Sequence, residues 1–115
     1  VDEVITGLGR LGTMWGSEYF GLKPDMLTCA KMLTSAYQPL SAVLMSDAVY
    51  ESLAAESGKR GGFGHGFTYS AHPVAAAVAR EVLAIYRERD ILGHVRRIAP
   101  AFQQMLRQAG QHPLV

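Results

Sequence analysis

Along the chain, apolar residues come first in short unbroken runs and later at helical spacing. Val1-Asp2-Glu3-Val4-Ile5-Thr6 is β-branched and predicts a strand ending near Thr6. A second strand is expected over about Asp25 to Ala30 and a third over about Ser41 to Met45, both as the apolar runs of a sheet covered on two faces. Gln38-Pro39 enforces extended backbone before the third. Between the first two, Met14–Phe20 allows one or two helical turns, which Gly21 and Pro24 stop. Asp47 is placed to cap a helix through Ala55, with Val49, Leu53 and Ala54 at helical spacing. Gly58 to Gly66 reads as a long loop. Pro73 is a favoured first helical residue, capped by His72 or Ser70, and Val74, Val78, Val82, Ile85 and Tyr86 share one face. Asp90 caps a last helix striped with Leu92, Val95, Ile98, Phe102, Met105 and Leu106; Pro100 inside it predicts a kink or break, and Gly110 a stop.

Strands alternating with helices imply an α/β fold with a mostly parallel sheet and covering helices. Three such strands would leave much apolar surface bare. The first strand also begins at Val1 with a carboxylate already in it, so the expectation is a piece of a larger polypeptide.

Composition narrows the classes. A net charge of +1 with 49% hydrophobic residues is that of an ordinary soluble protein. The densest basic pair is Arg96-Arg97, so the electrostatic footprint of a nucleic-acid or anionic-membrane partner is missing. Cys29 is the sole cysteine, which excludes a disulfide scaffold and makes a reducing cytoplasm the default. No apolar segment is long enough to span a bilayer, and no internal repeat is present.

Candidate chemistry centres on Lys31, which follows the run Met26-Leu27-Thr28-Cys29-Ala30 and so delivers an amine to the rim of a sheet. In a poorly solvated pocket such an amine loses its proton more readily and can attack a carbonyl to form a Schiff base. Lys59, flanked by Gly58, Arg60 and Gly61, has no apolar run before it and reads as solvated. Thr68 offers a hydroxyl and a backbone N–H in a loop opening a helix, which suits an anion. Gly7-Leu8-Gly9-Arg10-Leu11-Gly12 matches the dinucleotide fingerprint G-x-G-x-x-G. It makes an NADP-dependent oxidoreductase the rival reading, although Gly16, Gly21 and Pro24 break the helix that should follow. His65 and His72 lack a nearby carboxylate or cysteine and read as loop or capping residues; no metal site is expected. Trp15, Tyr19 and Phe20 suit a substrate pocket or, more commonly at such spacing, a core.

Asp2-Glu3-Val4, Ala30-Lys31 with Thr34-Ser35, and Gly66-Phe67-Thr68-Tyr69-Ser70 before His72-Pro73 together resemble, in order, the class III (subgroup II) aminotransferases. Within that family the likeness favours the ω-transaminase branch. The resemblance implies part of the large domain of a fold-type I enzyme using pyridoxal 5'-phosphate. Residues 1–90 would belong to the cofactor-binding domain and 91–115 to a helical connection toward a small domain. It further implies that Lys31 holds the cofactor and moves the substrate proton, and that Asp2 keeps the pyridine nitrogen protonated. Val4 would pack on a ring face. Phe67 and Thr68 would reach the phosphate held by the partner subunit of a homodimer.

The reaction so implied moves an amino group from an amine or ω-amino acid to a keto acid such as pyruvate. Racemases, aminomutases and decarboxylases share these residues. Many members have glycine where Met32, Ala36 and Ser41 stand, and a glutamine that contacts the cofactor's 3-hydroxyl where Ile5 stands. The family's own-subunit phosphate turn, stacking aromatic and substrate-binding arginine are missing from the chain, so by itself it is expected to be inactive. A non-catalytic fragment or pseudoenzyme is the third reading.

Overall fold

In a computed structural model that describes residues 1–114, the strands Met26–Cys29 (β1) and Ala42–Met45 (β2) pair with Met26 opposite Met45 and Cys29 opposite Ala42. Val115, the last residue of the expected connection, lies outside them. The pairing is antiparallel, where the order of elements predicted parallel strands. The physical reason is the link between them: it holds a single 3₁₀ turn, Lys31–Leu33, and no crossover helix, so the chain doubles back.

The predicted first strand shrinks to one parallel bridge, Asp2 to Thr28. Thr28 N–H donates to the Val1 carbonyl (3.0 Å) and Glu3 N–H to the Thr28 carbonyl (2.8 Å). Beyond Glu3 the backbone leaves the extended state, because the Glu3 carbonyl accepts from Gly7 N–H at 3.0 Å and closes a turn.

Four helices follow or interleave. α1 is the single turn Gly16–Tyr19. α2, Asp47–Arg60, runs on past Ala55 through residues expected in the loop; a Lys59–Glu56 ion pair (2.7 Å) spans its last turn, and Gly61 at φ 81° ends it. Ser46, not Asp47, takes the N-cap position. α3, Pro73–Glu88, starts where proline predicts. Its buried face is Ala75, Ala79, Val82 and Tyr86. Val74 is exposed instead, since the small alanines let α3 approach its neighbours more closely than valines would. His72 sits at the N-cap without a side-chain bond.

α4, Ile91–Ala109, is capped by the Asp90 carboxylate, which accepts from Gly93 N–H at 3.1 Å. It passes through Pro100 without the predicted break, losing one rung of its ladder.

The core is narrow. Leu8, Cys29, Ala75, Ala79, Val82 and Tyr86 are its buried apolar members. A Cα radius of gyration of 18.2 Å, against about 13 Å for a compact chain of this length, means that most surfaces meet no second layer. The outer stripe of α4 is the clearest case, with Ile98, Phe102, Met105 and Leu106 all exposed.

Candidate active site around Lys31

β1 ends in buried Cys29, and the next two residues turn the chain sharply. Lys31 opens the 3₁₀ turn at φ 37°, a left-handed backbone that a lysine adopts only when its surroundings impose it. Thr34 closes this turn, its N–H donating to the Lys31 carbonyl at 3.4 Å. It is only 2% exposed, and its hydroxyl donates to the Gln38 carbonyl at 2.5 Å, closing the loop that carries Ser35 (φ 50°) and Ala36 (φ 65°).

A pocket of about 280 Å³ lies here, lined by Lys31, Thr34, Ala36, Gln38, Pro39 and Leu40. Pro39 and Leu40 also line a second pocket of about 530 Å³ with Ser41, Phe67, Tyr69, Ser70 and Ala71. Lys31 is exposed within these residues, and its Nζ has no hydrogen bond or ion pair among those described. Lys59, by contrast, is bound to Glu56 and largely solvated.

Asp2 runs alongside β1 through its bridge to Thr28, three positions before Lys31. Its Oδ1 accepts from Val4 N–H at 2.8 Å; Oδ2 has no protein donor among the described residues. Val4 is half-buried. A carboxylate with one fixed and one uncommitted oxygen, beside a strand followed two residues later by an amine without a partner among the described residues, fits the demands of pyridoxal phosphate on its protein.

The phosphate donors are less assembled. Phe67 and Thr68 lie in the exposed loop Gly61–His72, where Phe67 N–H donates to Ser70 Oγ (3.1 Å), and Thr68 lines neither pocket. Asp2 thus bridges the strand that leads into Lys31, while Thr68 lines neither pocket beside them.

Glu3 is the residue that sequence reasoning passed over. It is 2% exposed, and its carboxylate accepts from Thr6 Oγ1 (2.6 Å), Gly16 N–H (2.8 Å) and Ser17 N–H (2.6 Å). Burial works to raise its pKa, but the bonds from Thr6, Ser17 and Gly16 outweigh it and hold the group below the usual glutamate value. The available signal was Thr6, three residues on, and Gly16-Ser17 opening a helical turn.

The glycine-rich segment has a structural use that overturns the dinucleotide reading. It is a series of turns with no strand before it and no long helix after it. A Cβ on Gly9 would stand 3.0 Å from Leu92 Cδ2 and 3.1 Å from Tyr86 Cε1; on Gly12 it would stand 2.7 Å from Arg96 Cγ. Tyr86 OH donates to the Leu8 carbonyl (2.8 Å) and Arg96 Nη1 to the Gly12 carbonyl (2.5 Å). These glycines admit α3 and α4 at close range, a packing use that does not call for a phosphate.

Other candidates find ordinary roles. Tyr19 and Phe20 stack edge to face at 5.1 Å but stay exposed, outside the core. The Trp15 ring covers Gly7. His65 sits between Phe63 and Phe67, with ring centroids 5.8 and 5.2 Å away, and His72 stands 6.4 Å from Tyr69. Burial pushes the Cys29 thiol up, against a backbone hydrogen bond at Ala42 and with the Glu3 charge adding to it, which disfavours its thiolate. No helix among the described residues is long and apolar enough to cross a membrane.

Known proteins match this arrangement throughout. The family model for aminotransferase class-III covers residues 1–115. Probable gamma-aminobutyrate transaminase 4 of Oryza sativa subsp. japonica is 53% identical over 116 residues, which is 100% of this chain and 24% of that protein. Gamma aminobutyrate transaminase 1, mitochondrial, of Solanum lycopersicum is 51% identical over 99% of this chain and 22% of its own length. Among solved structures, a transaminase with L-ala superposes with a TM-score of 0.94 at 50% identity, covering 98% of this chain and 27% of that one. The ω-transaminase of Pseudomonas jessenii in complex with PMP gives 0.94 at 44% identity, over 100% and 25%. The chain therefore spans about a quarter of the length of the proteins it matches. Its α/β arrangement is part of the fold-type I transaminase fold, and the chain belongs to the class-III aminotransferase family.

Proposed function

We propose that these residues serve pyridoxal-phosphate-dependent transfer of an amino group from an amine or ω-amino acid to a keto acid such as pyruvate, working within a longer polypeptide. The observation that carries this is the bridge that sets Asp2 on Thr28, three residues before Lys31, with Asp2 Oδ2 and Lys31 Nζ both free of protein partners among the described residues. When bound, the cofactor supplies an electron sink for the carbon that gives up its proton. Lys31 holds the cofactor's aldehyde carbon and moves a proton at the amine-bearing carbon of the substrate. Asp2 keeps a proton on the pyridine nitrogen, Val4 supplies an apolar ring contact, and Ile5 leaves the 3-hydroxyl contact to another residue. Phe67 and Thr68, on an exposed loop, reach the phosphate site of a second copy, so the active form is a homodimer.

The names of the relatives make gamma-aminobutyrate the first donor to try. Residues 1–90 serve the cofactor-binding domain and 91–115 its helical exit. The free, buried Cys29 suits a reducing compartment such as the cytoplasm, although relatives named mitochondrial make an organelle the competing location.

The test is borohydride trapping of the cofactor on the complete polypeptide, with peptide mapping, beside turnover of gamma-aminobutyrate with pyruvate. The label is expected on Lys31, and Lys31→Ala is expected to lose turnover by several orders of magnitude. A label on another lysine, or turnover that survives Lys31→Ala, overturns the reading. The nicotinamide alternative has no observation in its favour once Gly9 and Gly12 are seen packed on α3 and α4.

A further inference from the structure

Asp2 is exposed and sits at the edge of the ladder, yet the role proposed for it requires its carboxylate to be held to within a fraction of an ångström. Its own side chain accepts one hydrogen bond among the described residues, from Val4 N–H. The fixing must come from its neighbours. Val1 and Glu3 both pair with Thr28, and Glu3 is anchored far more strongly than a ladder residue needs to be. Its N–H binds Thr28, its carbonyl accepts from Gly7, and its carboxylate accepts from Thr6, Gly16 and Ser17. The last two donors belong to α1, so the Glu3 side chain ties the Asp2 segment to an element thirteen and fourteen positions away.

We propose that Glu3 is a positioning residue for the cofactor: its buried carboxylate clamps the turn after Asp2 onto α1 and so fixes where the Asp2 carboxylate meets the pyridine nitrogen. This rests on the reading of Asp2 given above. An ionised carboxylate is needed for it. Glutamine presents one acceptor oxygen and two N–H donors, and a donor aimed at Gly16 N–H or Ser17 N–H meets another donor. Glu3→Gln therefore loosens the clamp while keeping nearly the same volume.

The experiment uses the complete polypeptide loaded with pyridoxal phosphate and compares Asp2→Asn, Glu3→Gln and Thr6→Val. Three quantities are read: the cofactor dissociation constant, the pH midpoint of the bound cofactor's visible absorbance, and the melting temperature of the cofactor-free protein. Asp2→Asn is expected to move the first two strongly. Glu3→Gln is expected to weaken cofactor binding about tenfold, the scale on which outer supporting residues act elsewhere, and to shift the absorbance midpoint in the same direction as Asp2→Asn. Thr6→Val removes only the 2.6 Å hydroxyl bond and should give a smaller shift of the same sign, which keeps the proposal testable if Glu3→Gln does not fold. A lowered melting temperature with an unmoved absorbance midpoint in both variants means that Glu3 is merely structural, and overturns the proposal. If Asp2→Asn itself leaves binding and midpoint unchanged, the reading of Asp2 fails first.

Discussion

Replacing Gly12 by alanine sets the packing account of the glycine-rich segment against the phosphate-cradle account. Gly12 has φ 82°, so alanine there pays a left-handed backbone cost of about 1–2 kcal/mol. The new Cβ would also lie 2.7 Å from Arg96 Cγ, near the root of that side chain rather than at its free end, so Arg96 must shift. In shifting it gives up the bond from Nη1 to the Gly12 carbonyl, about 1 kcal/mol for a partly buried contact. Together Gly12→Ala should destabilise by about 2–3 kcal/mol, measured by urea unfolding of the complete polypeptide. In an Arg96→Ala background the clash and the bond are already gone, and the same substitution should cost only the backbone part, leaving a coupling of about 1 kcal/mol. Gly12→Ala within about 0.5 kcal/mol of the parent, with no coupling to Arg96 and loss of NADPH binding, would refute the packing account.

Ala36, at φ 65° in the loop below Lys31, occupies a position where glycine pays no Cβ penalty; Ala36→Gly should stabilise by about 0.5–1 kcal/mol after the entropy of the unfolded glycine is counted, read as a raised unfolding midpoint. The pKa of Glu3 is depressed on folding, so its stabilisation is in place above the ordinary glutamate value of about 4.3 and is lost as pH falls through the lower folded value. Unfolding free energies of the parent should therefore fall on acidification more steeply than those of Glu3→Gln. The bare stripe on α4 should make the 115-residue chain self-associate by itself, and Phe102→Ser with Leu106→Ser should reduce that association in sedimentation velocity.

The helices were legible because their signals are local. Pro73 and Asp90 mark their starts through single-residue chemistry, and each falls where the periodicity predicts. The sheet was less so. Strand direction depends on what the connection does, and nothing in Ala30–Ser41 as a string distinguishes a loop that doubles back from one that crosses over. The face of α3 was misjudged because hydrophobicity ranks valine above alanine, whereas close packing selected Ala75 and Ala79. At the site, Lys31 was visible from its place after an apolar run, and Asp2 became meaningful only beside it. Glu3 was obscured for a physical reason: a carboxylate in sequence reads as solvated until the donors that surround it are brought from Gly16 and Ser17.

The bonds from Tyr86 to Leu8 and from Arg96 to Gly12 join positions 78 and 84 residues apart. During synthesis at about 5–20 residues per second, the glycine-rich turns must wait roughly 4–17 s before both partners have been made. For that interval the turns around Gly9 and Gly12 have neither α3 nor α4 to lie against. A ribosome-bound intermediate ending before Tyr86 thus leaves Leu8 and the glycine-rich turns unpacked, and the order of translation sets when that part of the core first takes shape.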